Sequence, residues 1–388
     1  MFTPQDHHYM SLALRLAEQG RYTAHPNPRV GCVIVKNQKI IGEGAHHYAG
    51  EPHAEVHALA RAGKSAQGAT AYVTLEPCSH QGKTPPCASS LIAAGISHVI
   101  TAMQDPNPLV SGSGLKHLNS AGITTQCGLL EAEAQQLNRG FIKRMQCKRP
   151  FVRVKLAMSL DGATAMQSGE SMWITGSAAR QDVQKLRAQS DAILTATGTV
   201  IDDNPSLNVR LNVDDLNLPN DTQNKVRPLQ QPKRVIIDSK LSTPTTAKLL
   251  KLEGETWIFT ISNHQDKIKA LHNAGAEVIV LKPDDHDPDK VSLDAVLVEL
   301  AQREINEVHV EAGATLCGAL LYAGLVDEII LYMAAHIMGN NTRALFNLPK
   351  HNKMHQRIKV KIQDIRAIGD DWRISAVPTT INSNCASH

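Results

Sequence analysis

Apolar and polar positions recur along this chain in two registers, and the switches between them mark out its elements. Over residues 6–19, Met10, Ala13, Leu14 and Ala17 keep the 3.6-residue period of an amphipathic helix, with Gly20 placed to stop it. Residues 30–35 and 39–44 read as the arms of a hairpin closed by Asn37-Gln38. A second helix opens near Pro52, because the missing proline N–H costs nothing in a first helical turn. It turns His53, Val56, Leu59 and Ala60 inward and ends at Gly63. The β-rich run 71–75 follows. From Cys87 the pattern alternates: 88–94 helical, 98–103 extended, 114–121 helical, 124–128 extended, then one helix from about 130 to 145. Strands and helices alternating in this way predict an α/β layered sheet.

The periodicity lapses over 147–150, where Lys148, Arg149 and Pro150 interrupt it, and a second α/β pattern begins. Residues 151–156 alternate as a half-buried strand, and Asp161-Gly162 signals a turn. Helices are expected over 176–188 and 264–273, and strands over 191–195, 234–238, 256–260, 277–280, 327–332 and 371–375. Residues 307–321 give a strand, a turn of small residues and a helix. That shape brings backbone N–H groups to a phosphate, and it serves close packing equally well. Residues 211–232, rich in Asn, Asp, Gln and Pro, predict a long surface loop, and 378–388 a polar disordered tail. The domains on this reading are 1–147 and 148–377.

Composition removes several function classes. A net charge of +3 supplies no global field for nucleic acid or an anionic membrane, and 4% aromatic residues are too few for a base-stacking platform. No apolar run reaches the length of a membrane span, and the first residues lack the basic flank and apolar core of a signal peptide. The scattered cysteines have no disulfide-framework spacing, so a cytoplasmic location is expected.

The candidate chemistry is concentrated between Glu51 and Cys87. His53, Cys78 and Cys87 are ligand types that hold zinc at three corners of a tetrahedron and leave a fourth for water. Bound zinc brings the pKa of that water to about 7. Glu55, two residues past His53, is free to carry protons to a leaving amine, and His-x-Glu followed by Pro-Cys is the signature of zinc deaminases. Residues i and i+2 do not share a helix face, so His53 and Glu55 reach one water only off the helix end. A second reading closes the site: His57, at i+4 from His53, completes a structural Cys2His2 set and leaves Glu55 solvated. The eight residues between Cys78 and Cys87 exceed both the usual structural-finger spacing and the Cys-x-x-Cys of most zinc deaminases. In the loop 24–31, Pro26 and Pro28 fix the angle of Asn27, as a rigid connector or to recognise a polar heterocycle.

Five motifs together resemble one family over nearly the whole chain. They are His53-Ala-Glu55, Pro77-Cys78-Ser-His80-x-Gly82-Lys83-Thr84-Pro-Pro-Cys87, Val154-Lys155-x-Ala157-x-Ser159-Leu-Asp161-Gly162, Gly198-Thr199-Val-x-x-Asp203-x-Pro205-Ser206-Leu207-x-Val209-Arg210, and Glu311-Ala-Gly313. The Cys78–Cys87 spacing makes the chain similar to the bifunctional riboflavin-biosynthesis deaminase–reductases in particular. The resemblance implies an α/β chain of two three-layer domains, the first cytidine-deaminase-like and the second dihydrofolate-reductase-like. The first would release ammonia from a diaminopyrimidinone carrying a phosphorylated ribose, with zinc. The second would reduce the ribosyl group of the product to ribityl with NADPH. A small-molecule substrate, no nucleic acid, no membrane and a homo-oligomer are expected.

Position by position, the resemblance implies His53, Cys78 and Cys87 as metal ligands and Glu55 as the proton carrier. It implies deaminase substrate contacts at Asn27, His46, Lys83 and Thr84, and reductase substrate contacts at Ser171, Arg187, Leu207, Arg210 and Glu311. Lys155 is a candidate acid for the hydride step. Ala157, Trp173, Thr199, Asp203, Ser239 and the turn Gly313, Ala314, Thr315, Leu316, Cys317, Gly318 and Ala319 match NADPH positions. Lys83 and the two arginines have ordinary surface readings, and Trp173 an ordinary core one. Met172 departs from an expected glutamine. Two further hypotheses stand beside this one: another zinc deaminase fused to an unrelated nucleotide-binding domain, and a non-catalytic binding protein with a structural zinc.

Overall fold

The computed structural model describes residues 1–79, 86–108, 110–171, 173–216, 229–350 and 352–379. The chain folds as two compact units: Met1–Lys148, and Arg149–Leu216 with the chain from Leu229 on.

In the first unit, helix α1 (Pro4–Ala17) is opened by a capping box between Thr3 and Asp6. Strands β1 (Gly31–Lys36) and β2 (Lys39–Ala45) form the expected hairpin. Its turn residues Asn37 and Gln38 both have positive φ (51° and 60°), which matches the right-handed twist of the arms. Strands β3 (Thr70–Val73), β4 (His98–Thr101) and β5 (Thr124–Cys127) complete a five-stranded sheet of order β2-β1-β3-β4-β5. β1 is antiparallel to both neighbours, and β3, β4 and β5 run parallel. Helix α2 (Ala54–Ala62) lies on the hairpin, and α3 (Cys87–Ala93) packs against α4 (Ser113–Ser120).

Two expectations need correction here. Helix α2 buries Ala54, Glu55, Ala58 and Ala62 instead of the face carrying Val56, Leu59 and Ala60. The cause is a near-contact of backbones: a Cβ on Gly42 would sit 2.2 Å from the Ala58 carbonyl oxygen, and one on Gly44 2.1 Å from that of Ala54. Only alanines against glycines fit there. Gly20, where the 3-10 turn Glu18–Gly20 that prolongs α1 stops as expected, is also a packing glycine, since a Cβ there would lie 2.5 Å from the His46 carbonyl oxygen. The helix expected over 130–145 is two, α5 (Glu131–Leu137) and α6 (Arg139–Cys147). They part at buried Asn138, whose Oδ1 accepts the Arg29 N–H (2.8 Å) while Nδ2 donates to the Arg29 carbonyl (2.9 Å).

The second unit is built on a nine-stranded sheet. Its strands are β6 (Phe151–Ser159), β8 (Ala192–Ala196), β9 (Lys233–Ile237), β10 (Thr256–Thr260), β11 (Ala276–Val280), β12 (Glu307–Val310), β13 (Glu328–Ala334), β15 (Val360–Ile368) and β16 (Asp371–Pro378). The order is β11-β10-β9-β8-β12-β6-β13-β16-β15, while β7 (Ala163–Ala165) and β14 (Arg343–Ala344) pair separately. From β11 to β13 every pair is parallel, and β13-β16-β15 is antiparallel. Alternate residues of one strand enter different cores: Ile193, Ile236 and Ile258 join one cluster, Leu194, Val235 and Trp257 the other. A parallel sheet covered on both faces requires this pattern. Pro378 and Thr379, expected in the disordered tail, are instead held in place: Pro378 pairs with Val360 and the Thr379 N–H reaches the Lys359 carbonyl (2.8 Å). Residues 380–388, and 217–228 of the expected loop, lie outside the described residues.

Candidate active sites

The hairpin and α2 assemble the first site. Extended His53 caps α2 (φ −73°, ψ 166°), and Glu55 lies in its first turn, so both address the space off the helix end. Cys87 is the first residue of α3, and its N–H donates to the Cys78 Sγ (3.3 Å). His53 Nδ1 lies 3.2 Å from the Cys87 Sγ and 3.6 Å from the Cys78 Sγ. All three ligand atoms lie within 4.8 Å of one another, and His57 is not among them. Ligand atoms 2.0–2.3 Å from one tetrahedral centre would be roughly 3.5–3.8 Å apart, so the donor set fits zinc. A hydrogen bond from the Cys87 thiol draws the Cys78 thiol down to about 4, against its burial and with help from His53. Cys87, as the donor of that bond, is pushed up.

Glu55 is 3% exposed, and its Oε2 is buried without a hydrogen-bond partner. Burial raises its pKa, with His53 pulling the other way. A carboxylate oxygen buried and unpaired beside two thiols and an imidazole is placed to exchange protons with something the cluster holds. Buried His46 is lowered to about 4, chiefly by desolvation, and is therefore neutral at pH 7. Its Nδ1 donates to the Pro52 carbonyl (3.2 Å), so its Nε2 accepts from the Asn27 amide (3.0 Å). The His46 and His53 rings stand edge to face, 5.4 Å apart. Asn27 and His46 thus belong to the same site as the metal ligands. Lys83 and Thr84, like His80 and Gly82, lie outside the described residues.

The second site forms at the C-terminal ends of parallel strands, where open α/β sheets bind ligands. Parallel register brings Val310 beside Val154, and so Glu311 beside Lys155. Helix α7 (Ser177–Ala188) brings Arg187, whose guanidinium grips Glu311 through Nε–Oε1 (2.5 Å) and Nη2–Oε2 (2.9 Å). Its Nη1 donates to the Asn208 carbonyl (3.0 Å), and Arg210 Nη1 donates to the Asn208 Oδ1 (3.0 Å). Leu207, buried and at φ 45°, turns this segment toward Arg187. Burial would raise the Glu311 pKa, but Arg187 and His309 overcome it and hold the carboxyl well below its usual range. Desolvation and Arg187 both lower Lys155, against Glu311. With two arginines against one carboxylate the cluster is net positive before Lys155 is counted, which suits a phosphate.

The positions matched to cofactor are more dispersed. Ala157 lies on β6 beside Tyr332. Thr199 and Asp203 lie on α8 (Thr197–Asp203), where burial and then Asp202 raise the Asp203 carboxyl. Trp173 is 69% exposed with the Arg180 guanidinium 4.5 Å from its ring centroid, so it is not a core residue. The Ser239 Oγ accepts the Val291 N–H (3.0 Å). At the helix Ala314–Tyr322, capped by Gly313, the positions Gly313, Thr315 and Ala319 are exposed and Ala314 is half-buried, while Leu316, Cys317 and Gly318 are buried. Cys317 donates to the Ala312 carbonyl (3.3 Å), and a Cβ on Gly318 would strike the Asn347 carbonyl oxygen at 2.2 Å. Ser171 is half-buried, and Met172 lies outside the described residues.

Two features escaped the sequence reading. Buried Glu76, two residues before Cys78, accepts backbone N–H groups from Asp105, Gly112, Gly114 and Leu115. His309, 0% exposed, brings its Nε2 within 3.4 Å of the Glu311 carboxylate. A buried acid at the end of an apolar strand was the available signal for the first. The second, a lone polar residue in Val-His-Val, is no different from a satisfied core histidine.

The His-Cys-Cys donor set beside a buried glutamate is the arrangement of a zinc deaminase, and a parallel-sheet unit with a cationic cluster at its strand ends follows it in the chain. Residues 3–103 match the cytidine and deoxycytidylate deaminase zinc-binding region, and residues 150–374 the RibD C-terminal domain. The chain belongs to the riboflavin biosynthesis protein RibD family. It is 48% identical over 367 residues to RibD of Escherichia coli (strain K12), covering 95% of this chain and 98% of that protein. Acinetobacter baumannii RibD, form 1, superposes with a TM-score of 0.87 at 46% identity, covering 97% of this chain and 99% of that one. The diaminohydroxyphosphoribosylaminopyrimidine deaminase/5-amino-6-(5-phosphoribosylamino)uracil reductase of Thermotoga maritima gives 0.83 at 32% identity, covering 97% and 99%. The chain is thus a bifunctional enzyme of riboflavin biosynthesis, a zinc-dependent deaminase and an NADPH-dependent reductase. No helix among the described residues is long and apolar enough to cross a membrane.

Proposed function

We propose that a domain over 1–147 hydrolyses the 2-amino group of 2,5-diamino-6-(5-phosphoribosylamino)pyrimidin-4(3H)-one, and that a domain over 148–377 then reduces the ribosyl group of the product to ribityl. The observation that carries the first step is the unpartnered Glu55 Oε2 beside the His53, Cys78 and Cys87 ligand atoms. Zinc, when held by these three residues, supplies a Lewis acid that makes water acidic near pH 7. Glu55 takes the proton from the attacking water at Oε2 and delivers it to the departing amine, which leaves as ammonia. Its raised pKa suits both halves of that transfer, because the proton is held between them. Asn27, tethered to neutral His46, presents its amide to the pyrimidine edge, and Lys83 and Thr84 meet the phosphoribosyl end.

In the second domain Arg187 and Arg210 take the substrate phosphate, and Glu311 fixes the Arg187 fork in place. NADPH supplies the hydride when bound. Lys155 gives the proton that opens the ribosyl ring at its oxygen, and Ser171 and Leu207 shape the substrate pocket. Ala157, Trp173, Thr199, Asp203, Ser239 and the 313–319 turn receive the cofactor, with its phosphates at the helix N-terminus. The same reading puts the enzyme in the cytoplasm as a homo-oligomer. The edge strand β15, with Val360, Ile362 and Ile365 exposed, supports self-association, and light scattering of the purified chain tests it.

The test follows ammonia and NADPH oxidation separately on the proposed substrate. Ammonia released without NADPH, and NADPH oxidised only after deamination, are the expected results. A folded, zinc-loaded enzyme that releases no ammonia contradicts the proposal.

A further inference from the structure

We infer that Glu76 is a positioning residue for the metal site, seating Cys78 by clamping its segment onto Asp105, Gly112 and the start of α4. The inference rests on the reading that His53, Cys78 and Cys87 hold zinc. Glu76 is 3% exposed and follows the end of β3. Its Oε1 accepts the N–H groups of Gly114 (2.8 Å) and Leu115 (3.3 Å), and its Oε2 those of Asp105 (3.1 Å) and Gly112 (2.9 Å). Two of these donors open α4, so the carboxylate also meets the positive end of that helix. The Glu76 N–H donates to the Met103 carbonyl (3.0 Å).

The residues on either side of Cys78 are fastened to the start of α4. A Cβ on Gly114 would lie 2.0 Å from the Pro77 carbonyl oxygen, so the two backbones touch there. Beyond Cys78, the Ser79 and Ser113 hydroxyls are 2.7 Å apart, and Ser113 donates to the Val110 carbonyl (2.5 Å). His53 and Cys87 are each placed by a helix terminus, at α2 and α3. Cys78 sits on a loop, and a loop holds a tetrahedral ligand only if something else fixes it. Glu76 supplies that constraint through the backbone of the Cys78 segment, beside the Ala88 N–H that donates to the Cys78 carbonyl (3.1 Å). Groups that orient a ligand in this way affect metal affinity about 10–100-fold when replaced.

The test compares Glu76→Gln, Glu76→Asp and Ser113→Ala in the full chain. Glutamine keeps the shape but turns an amide N–H2 toward backbone donors, and aspartate keeps the charge at shorter reach. The readouts are zinc affinity by chelator competition and the Co(II)–thiolate absorption of the cobalt-loaded protein, with the reductase activity as a check on the other unit. Glu76→Gln is expected to weaken zinc binding at least about tenfold and alter the cobalt spectrum, with Glu76→Asp between it and wild type. Ser113→Ala, which cuts only the hydroxyl link, is expected to lie in the same direction with a smaller loss, and it decides the matter if Glu76→Gln does not fold. Wild-type affinity and an unchanged cobalt spectrum in the folded variants, whatever their melting temperature, would overturn the inference. A wild-type chain that binds no stoichiometric zinc would instead overturn the underlying zinc reading.

Discussion

The Arg187 guanidinium and the Glu311 carboxylate meet fork to fork, at 2.5 and 2.9 Å, across 124 residues of sequence. Both side chains are largely buried, at 10% and 14% exposure. Removing one partner leaves the other charge without compensation. Glu311→Gln is expected to destabilise the second unit by about 3–5 kcal/mol and to abolish NADPH oxidation. Ammonia release by the same chain is expected to survive. Calorimetry and the two separate assays check this, and a melting temperature equal to wild type would contradict it.

Lys155 links that pair to a pH profile. Desolvation lowers its pKa below the ordinary 10.5, and Arg187 adds to the effect against Glu311. A proton donor loses its proton as pH rises through its pKa. The kcat/KM for NADPH oxidation is therefore expected to fall on the alkaline side at a pH below 10.5, and Lys155→Met to remove both the activity and that limb. Activity retained in Lys155→Met, or a profile level up to the ordinary lysine value, would exclude it as the donor.

Gly44 sets the height of α2 above the hairpin. An added Cβ would lie 2.1 Å from the Ala54 carbonyl oxygen and 2.7 Å from the Ala58 nitrogen, so the helix must move. Glu55 and the His53 cap move with it. Gly44→Ala is expected to cost about 1–3 kcal/mol of stability in the first unit and to reduce ammonia release far more than that loss accounts for. NADPH oxidation of pre-deaminated substrate is expected to be unchanged. Full ammonia release from Gly44→Ala would show that the helix height is not critical.

Much of this was legible in the sequence, for identifiable reasons. The buried strands were read from their short apolar runs between helical segments, and the hairpin from the two runs that flank Asn37-Gln38. The metal ligands were read from residue types and spacing alone. Hidden features had no periodic mark. In β15, Val360-Lys361-Ile362-Gln363 and Ile365-Arg366-Ala367 each alternate, but the phase slips at the bulge between Ile362 and Asp364, so no single alternation runs through 360–368. Asn138 breaks a helix because its amide serves Arg29, more than a hundred residues away. The inward face of α2 is set by two glycines on another element, which no helical period records. Lys155, Arg187 and Glu311 were named through family resemblance, since only the strand order and α7 bring them together.

Glu55 is the residue on which the catalytic account turns, and Glu55→Gln is the most direct measurement. Zinc content, ammonia release and NADPH oxidation of pre-deaminated substrate are read on one preparation. The account predicts stoichiometric zinc, a loss of ammonia release of at least about 100-fold, and unchanged NADPH oxidation. Ammonia release within a fewfold of wild type from the zinc-loaded variant would contradict it, because a glutamine cannot carry the proton.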